Sequence, residues 1–508
     1  MKMDEIHDIS TDELQEFIKD CILRANNGDV EAQKSLAAMY LFGDKVEVDL
    51  KEAAYWFSKA AEQGDPVALN DLGNMYNYGM YFKADNDKAI ELYRRAAQAG
   101  AITGKYNYGT SLLKSSSTEK EIKQGIELIT FAADNGLAIA QNAMGKMLVY
   151  GGYVNIDYDR AFHYFKAAAD AGDADGLTSL GTCYVDGYGC EKNQATANYL
   201  FSMAAEKGSA QGQYNLAWSF HHGLDVEQDI DTAIQFYCQA ANQKHAGAIR
   251  ELGHICEFGS PQDMVRAADF YTQAAELGDT IAEFDIGTCY QFGTGVNKDI
   301  AKSAMYYSRA ADKNDRSAIL NLGILHQEGI DGNIDYSKAM SCFEKAAQLG
   351  HLKASCCIGF LWLDGLGVNK DIDKALEFIE AGAISGEVNT QYNLGLLYKG
   401  NSDIPQDFKK ALYWLKKAAL QDFAPAQVDL GIMLLKGDGT EVNEVEGFKW
   451  ICVAYARNDE RAEDLLNYCK NTMSSDKLEE GYNQAQLHVA CAKTKNVSTS
   501  DELTTLKH

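Results

Sequence analysis

Apolar residues along this chain fall into two stripes at helical spacing, and the pair of stripes recurs every 36 residues. Gly28, Gly64, Gly100, Gly136, Gly172 and Gly208 set the frame. Lys244, Gly278, Asn314, Gly350, Gly386, Asp422 and Asn458 continue it after a single step of 34, which defines twelve units over 29–458. Numbering each unit from 1, position 4 is small (Ala32, Ala68, Gly104, Ala140). Position 8 is large and apolar (Leu36, Leu72, Met144, Leu180, Leu322), and position 12 is mostly aromatic or apolar (Tyr40, Tyr76, Leu148, Tyr184, Tyr290, Trp362). Residues four apart share a helix face, so these positions predict a first helix, A. The second stripe runs through position 25 (Ala53, Ala89, Ala161), position 29 (Phe57, Tyr93, Phe165) and the alanine pair at 32 and 33 (Ala60 and Ala61, Ala346 and Ala347), and predicts a second helix, B.

Glycine occupies position 9 of helix A in ten of twelve units, Gly73 and Gly323 among them. Each costs about 1 kcal/mol of helix propensity, so a close approach of another element is expected there. Glycines after helix A (Gly43, Gly79, Gly151, Gly187, Gly223) and after helix B suit the left-handed conformation that ends helices. Pro66 and Pro425 fall in first turns of A helices, and Pro261 and Pro405 in A-to-B loops, so no proline interrupts a predicted helix.

The text LGNMYNYG followed by KAIELYRRAAQAG in unit 2, and IGTCYQFGTGVNKDIAKSAMYYSRAADKN in unit 8, resembles the Sel-one-like repeat, a relative of the tetratricopeptide repeat. The resemblance covers about 430 of 508 residues. It implies an all-α, right-handed solenoid of about twelve helix-turn-helix repeats, with members that act as adaptors in protein complexes. The secreted branch of the family pairs a cysteine ending helix B with one early in the next helix A. Alanine stands at those places here, which argues against that branch.

Residues 1–28 read as a capping helix: Ser10-Thr11-Asp12-Glu13 forms a capping box, and Leu14, Phe17, Ile18, Cys21 and Ala25 an apolar face to cover unit 1. Residues 459–492 read as two closing helices and 493–508 as a disordered polar tail. MSSDKLEEGYNQAQLHVA resembles the final helix of bacterial members, which hints at a bacterial source. Unit 3 replaces the loop glycine with Ser115, and unit 11 places Asn401 and Pro405 in its loop; flexibility or a bend is expected at both.

With 47 Lys+Arg against 73 Asp+Glu the formal charge is −26, which repels phosphate backbones and anionic lipid, so neither nucleic acid nor membrane is an expected partner. The first twenty residues are rich in acids and lack an apolar run fit for a leader or an anchor, so cytoplasmic residence is expected. The twelve cysteines are scattered rather than once or twice per repeat and read as small core residues.

Sequence motifs for phosphate binding, zinc proteolysis and acyl transfer are missing, and no enzyme activity, cofactor or metal is expected. His221, His222, His254 and Glu257 could converge on a metal, but solvated groove residues are the better reading. If A helices line a concave face, positions 3, 6, 7, 10, 13 and 14 meet a ligand. Position 7 then forms a polar ladder of Asp71, Asn107, Asn215, Glu251, Asp285, Asn321, Asn393 and Asp429. Such side chains either bond a partner's backbone or brace the neighbouring helix. The densest mix of Tyr, Trp and Arg lies in units 6 and 7: Tyr214, Asn215, Trp218, His222, Arg250, Glu251, His254 and Phe258. Leu320, Ile324, Cys356, Phe360, Leu363, Leu396 and Ile432 turn the same face apolar in units 9–12, which either binds an apolar segment or is buried by curvature, the second being favoured. The function expected is a scaffold binding protein or peptide segments; the alternative is a bacterial protein exported into a host or rival, or a cognate, immunity-type inhibitor. Oligomeric state is left open.

Overall fold

The computed structural model describes residues 11–115 and 118–498. The capping box at Ser10 and the last ten residues of the polar tail lie outside the described residues. The chain divides into two compact bodies, residues 1–243 and 244–508.

In the N-terminal body, α1 (Thr11–Asn26) precedes six pairs of A and B helices. These are α2 (Val30–Phe42) with α3 (Leu50–Glu62), α4 (Pro66–Tyr78) with α5 (Asn86–Gln98), and α6 (Ile102–Ser115) with α7 (Glu119–Asp134). They continue as α8 (Ala138–Tyr150) with α9 (Tyr158–Asp170), α10 (Ala174–Asp186) with α11 (Gln194–Glu206), and α12 (Ala210–His222) with α13 (Ile230–Asn242). The C-terminal body opens with α14 (Ala246–Phe258) and α15 (Met264–Glu276), then α16 (Thr280–Phe292) and α17 (Ile300–Asp312), α18 (Arg316–Glu328) and α19 (Tyr336–Gln348). It continues with α20 (Leu352–Asp364) and α21 (Ile372–Ile384), α22 (Val388–Gly400) and α23 (Phe408–Ala419), α24 (Ala424–Lys436) and α25 (Glu444–Ala456), and closes with α26 (Arg461–Thr472) and α27 (Ser475–Ser498). The described residues contain no strand, and within each body consecutive helices pack as repeated pairs.

Local chemistry starts and stops these helices at fixed places. B helices begin behind an N-cap at position 21, where the carboxylates of Asp49, Asp85, Asp157, Asp229 and Asp299 accept first-turn backbone N–H groups. In the third repeat Thr118 is the cap instead, and α7 begins a turn earlier. The two residues missing from the repeat of α14 and α15 are missing from its A-to-B loop. The frame position after helix B has positive φ throughout, and Lys244, Asn314, Asp422 and Asn458 take it at φ 60–63° without being glycine. Gly43, Gly79, Gly187 and Gly223 cap their A helices in the left-handed region, whereas Gly151, at φ 71° and ψ −146°, does not.

At position 9 the close approach comes from the position-29 side chain of the same repeat, a ring in most repeats and Ile or Leu opposite Gly109, Gly359, Gly395 and Gly431. A Cβ at Gly73 would stand 2.7 Å from the Tyr93 ring, at Gly181 2.5 Å from Phe201, and at Gly323 2.6 Å from Phe343. In these three repeats the expected close approach is an aromatic face pressed against helix backbone. Leu322, predicted as core, is only half-buried; Leu320, Ile319 and Leu325 of the same helix are buried. In the C-terminal body Leu320, Cys356 and Leu363 are buried, and Ile324, Phe360 and Ile432 are partly buried against core clusters. These side chains of units 9–12 thus pack into core clusters.

A second recurring device holds repeat to repeat. At several junctions the carbonyl at position 33, or its counterpart in α1, accepts a side-chain N–H from the following repeat. Where position 5 is glutamine, its amide donates: Gln33 to Ala25 O (2.9 Å), Gln141 to Ala133 O (3.2 Å), Gln391 to Ala383 O (2.9 Å) and Gln427 to Ala419 O (3.1 Å). In three others a cation at position 31 reaches the same carbonyl: Arg95 to Ala61 O (3.5 Å), Arg309 to Ala275 O (2.5 Å) and Lys345 to Ala311 O (3.1 Å). In the repeat of α16 position 5 is the buried Glu283, which has no proton to donate, and Arg309 and Lys313 both pair with it at 2.8 Å.

α27 runs to Ser498, six residues into the stretch read as tail; Ala490, Ala492 and Lys493 favour continuation of the helix. No described helix is long and apolar enough to cross a membrane.

Candidate functional site

The eight residues singled out in units 6 and 7 lie on two helices, four on α12 in the N-terminal body and four on α14 in the C-terminal body.

On α12, Tyr214, Trp218 and His222 are spaced four apart and form one rail. The Tyr214 and Trp218 rings stand 6.2 Å apart between centroids, and those of Trp218 and His222 4.1 Å apart. Tyr237 of α13 backs the rail, 5.8 Å from Tyr214, and His221 meets it edge-on. Trp218 is 37% exposed although it is the largest side chain on its helix. Beneath the rail opens a cavity of about 270 Å³, lined by Val185, Phe201, Tyr214, Trp218 and Leu224 with Gln194 and Asn215 at its polar positions. Its floor is fixed by a buried relay in which the Ser219 hydroxyl donates to Asn198 Oδ1 (2.8 Å) and the Asn198 amide donates to Leu224 O (2.7 Å). Asn215 Oδ1 accepts from Gln211 (2.9 Å).

On α14 the polar residues are engaged within their own body. Arg250 donates to Glu251 Oε1 (2.7 Å) and, through Nη1, to both oxygens of Asp279 (3.1 and 3.2 Å). His254 lies between Glu251 Oε2 (3.4 Å) and Asp285 Oδ2 (3.2 Å), with the Tyr271 ring edge-on at 5.4 Å. The Tyr271 hydroxyl donates to Glu257. Burial opposes protonation of His254, yet the hydrogen bonds to Asp285 and Glu251 prevail and push its pKa up to about 9. Burial likewise opposes ionisation of Glu251, and the bonds from His254 and Arg250 outweigh it and hold the carboxyl below its ordinary range. The cluster is thus two cations threaded among three carboxylates. Only Phe258, 61% exposed, stands clear of it.

A pH dependence follows. The folded pKa of His254 lies above the ordinary 6.5, so the stability it contributes is complete below that pH and is lost as pH rises through about 9. Amide protection of α14 and α16 in hydrogen exchange is expected to fall across this window, and His254→Asn to flatten the slope. An equal slope in that variant would assign the titration to another group.

Other position-7 residues are also engaged by their own protein. Asn107 donates to Asn70 Oδ1 one repeat back (2.8 Å) and Asn321 to the Tyr307 hydroxyl (3.2 Å), while Asn393 is partly buried on its helix. Asp429 accepts from Tyr392, Lys399 and Arg461. Sequence reasoning had no means of finding these partners, because they stand 14 to 37 residues away on other helices. The described cysteines are all free, and burial raises the thiols of Cys183 and Cys357 to about 12. Among the described residues no three His, Cys, Asp or Glu side chains are grouped to hold a metal ion.

The Sel1 repeat model matches eleven segments: 30–65, 66–100, 138–173, 174–209, 210–245, 246–279, 280–315, 316–351, 358–386, 388–423 and 424–459. The chain belongs to the Sel1 repeat family. The model passes over 101–137, the repeat of α6 and α7, where the A-to-B loop lacks its glycine and α7 starts early. Among solved structures the chain is similar to a protective antigen present in uropathogenic Escherichia coli strains that displays an SLR fold, at 25% identity, 97% coverage of both chains and a TM-score of 0.59. It is also similar to a Sel1 repeat protein from Oxalobacter formigenes (28% identity, 48% of this chain and 96% of that one, TM-score 0.41). An immunity protein from Pseudomonas aeruginosa matches at 18% identity over 48% of this chain and 82% of its own, with a TM-score of 0.31. No curated protein matches the chain. Sel1 repeats build a scaffold fold, and in this one the regular contact of positions 9 and 29 joins the two helices of a repeat.

Proposed function

We propose that the protein is a non-catalytic scaffold that grips a segment of a partner protein at α12. The observation that carries this reading is the Tyr214–Trp218–His222 rail. Trp218 stays more than a third exposed above an apolar cavity, an arrangement the packing of its repeat does not require. A partner side chain entering beside Trp218 would bury a large aromatic surface at low entropic cost, and Gln194 and Asn215 supply amides for its backbone. The buried relay below keeps the cavity open in the free protein, so little ordering is needed on binding. The charged group of α14 supports the scaffold rather than contacting the partner, because its cations and carboxylates already satisfy one another.

Cross-linking pull-down with the full chain tests this. The wild type is expected to retain a defined partner, and Trp218→Ala to lose it by about 30-fold, the scale of a hot-spot aromatic. Trp218→Phe should fall between. Undiminished retention by Trp218→Ala, with an unchanged far-ultraviolet spectrum, would place the contact elsewhere.

A further inference from the structure

In four repeats the side-chain oxygen at position 5 is met by a donor from position 35 of the same unit. Gln63 donates to Gln33 Oε1 (2.9 Å), Gln243 to Gln213 Oε1 (2.9 Å) and Gln421 to Gln391 Oε1 (2.9 Å). In the repeat of α16 and α17, where position 5 is Glu283, the donor is the Lys313 ammonium (2.8 Å). Three of these donors also reach the carbonyl of the frame residue before the unit: Gln63 to Gly28 O (3.1 Å), Lys313 to Gly278 O (3.0 Å) and Gln421 to Gly386 O (3.2 Å). The place between the two oxygens therefore takes a nitrogen with at least two protons, and it holds an ammonium as well as an amide.

The repeat of α8 and α9 keeps the acceptor and lacks the donor. Gln141 is 9% exposed, and its amide donates to Ala133 O (3.2 Å) as its sister glutamines do to theirs. Its Oε1 is buried with no hydrogen-bond partner among the described residues. Position 35 is Ala171, whose backbone (φ −75°, ψ −2°) matches that of Gln63 (φ −81°, ψ −1°). One turn earlier position 31 is Ala167, where α5, α17 and α19 carry Arg95, Arg309 and Lys345. Beside these short side chains opens a pocket of about 330 Å³, walled by α7, α8 and α9 and of a size that suits a small ligand. Gln427 Oε1 is also unpartnered, but there Arg457 fills position 35, held by Asp422 (2.8 Å).

The pocket walls carry charge of both signs. Asp134, next in sequence to the carbonyl that holds Gln141, accepts from the Tyr164 hydroxyl through Oδ1 (2.7 Å), which leaves Oδ2 for a second donor. Arg160 and His163 line the pocket from earlier turns of α9. An ammonium is thus offered Gln141 Oε1, Gly136 O and Asp134, and a carboxylate is offered Arg160. A simple amine would leave the guanidinium unanswered, and a polyamine would be repelled by it.

We propose that this pocket binds a small zwitterion of the amino-acid class, its primary ammonium taking the place that Gln63 and Lys313 fill in their own repeats and its carboxylate meeting Arg160. The site is separate from the α12 rail and does not depend on the scaffold reading.

The probe is 6-aminohexanoate, whose flexible chain lets its two charges find their own spacing, titrated calorimetrically into the full chain. A dissociation constant of about 1 mM is expected for so few atoms. Hexylamine and hexanoate should each bind about tenfold more weakly, the scale of a lost hydrogen bond between charged groups. Ala171→Gln supplies from within the donor that Gln63 provides elsewhere, and should cut the affinity about tenfold or more with the fold intact. Asp134→Asn should weaken binding similarly, and Arg160→Met should reduce 6-aminohexanoate to the level of hexylamine. Ala99→Gln, at the same position of a repeat whose position 5 is Leu69, should change nothing. Unaltered binding by Ala171→Gln would place the ligand elsewhere and overturn the proposal. So would equal binding of hexylamine or hexanoate, or no heat at about 20 mM probe, which would leave water as the occupant.

Discussion

Phe343→Ala is expected to destabilise the repeat of α18 and α19 by about 3–5 kcal/mol, the range for emptying a fully buried aromatic site. Phe343 is wholly buried, and its ring lies against the backbone of α18 at Gly323. The same contact fixes the sign of the reverse change. Gly323→Ala improves helix propensity by about 1 kcal/mol, but its methyl would lie 2.6 Å from the Phe343 ring and 3.0 Å from Cys342 Cβ, and overpacking of this kind costs about 1–3 kcal/mol. A net loss is expected. In the Phe343→Ala background the ring contact is gone and only the 3.0 Å approach to Cys342 Cβ remains, so Gly323→Ala should cost less, giving a coupling of about 1–3 kcal/mol in a double-mutant cycle. Denaturant unfolding with hydrogen exchange reads both, and the protection lost should concentrate in α18 to α20. Strict additivity would show that ring and glycine do not oppose one another.

Glu251→Ala should be the most damaging change to the polar groups, at about 3 kcal/mol. Removing one member of a buried ion pair costs about 3–5 kcal/mol, and here Arg250 and His254 each keep a second carboxylate, Asp279 and Asp285, which places the loss at the lower end. Glu251→Gln keeps an acceptor for Arg250 and should lose less than half as much. Both variants should shift the His254 titration downward, because Glu251 is one of the two groups that raise it. Chemical-shift titration of the imidazole reads this directly; an unmoved midpoint would show Asp285 alone to be responsible.

What the sequence disclosed was decided by distance along the chain. The helix pairs, their 36-residue frame and the close packing at position 9 were legible, because the positions involved recur and a glycine inside a helix demands a reason. The ring that fills position 9 sits twenty residues on in the same unit, and the two periodicities met there. Position 7 was legible as polar but not in its use, since the partner of Asn107 belongs to another repeat and that of Asp429 includes Arg461, beyond the last one. Leu322 was misjudged because its stripe position repeats faithfully while its neighbours Ile319 and Leu325 take the deeper places. The Asp caps at position 21 went unread although they are nearly invariant in register. The eight candidate residues shared a residue class and a predicted face; only the structure separates Trp218, which is exposed, from Arg250, which is committed to Asp279.

The carbonyl at position 33 has a consequence for how such a chain diverges. At the junctions where a side chain reaches it, the donor is either a glutamine at position 5 of the unit or a cation at position 31. A duplicated repeat that holds both donors can lose one without harm, so sister repeats drift towards different solutions while the architecture stays fixed. A variable column in such an array need not be an idle one.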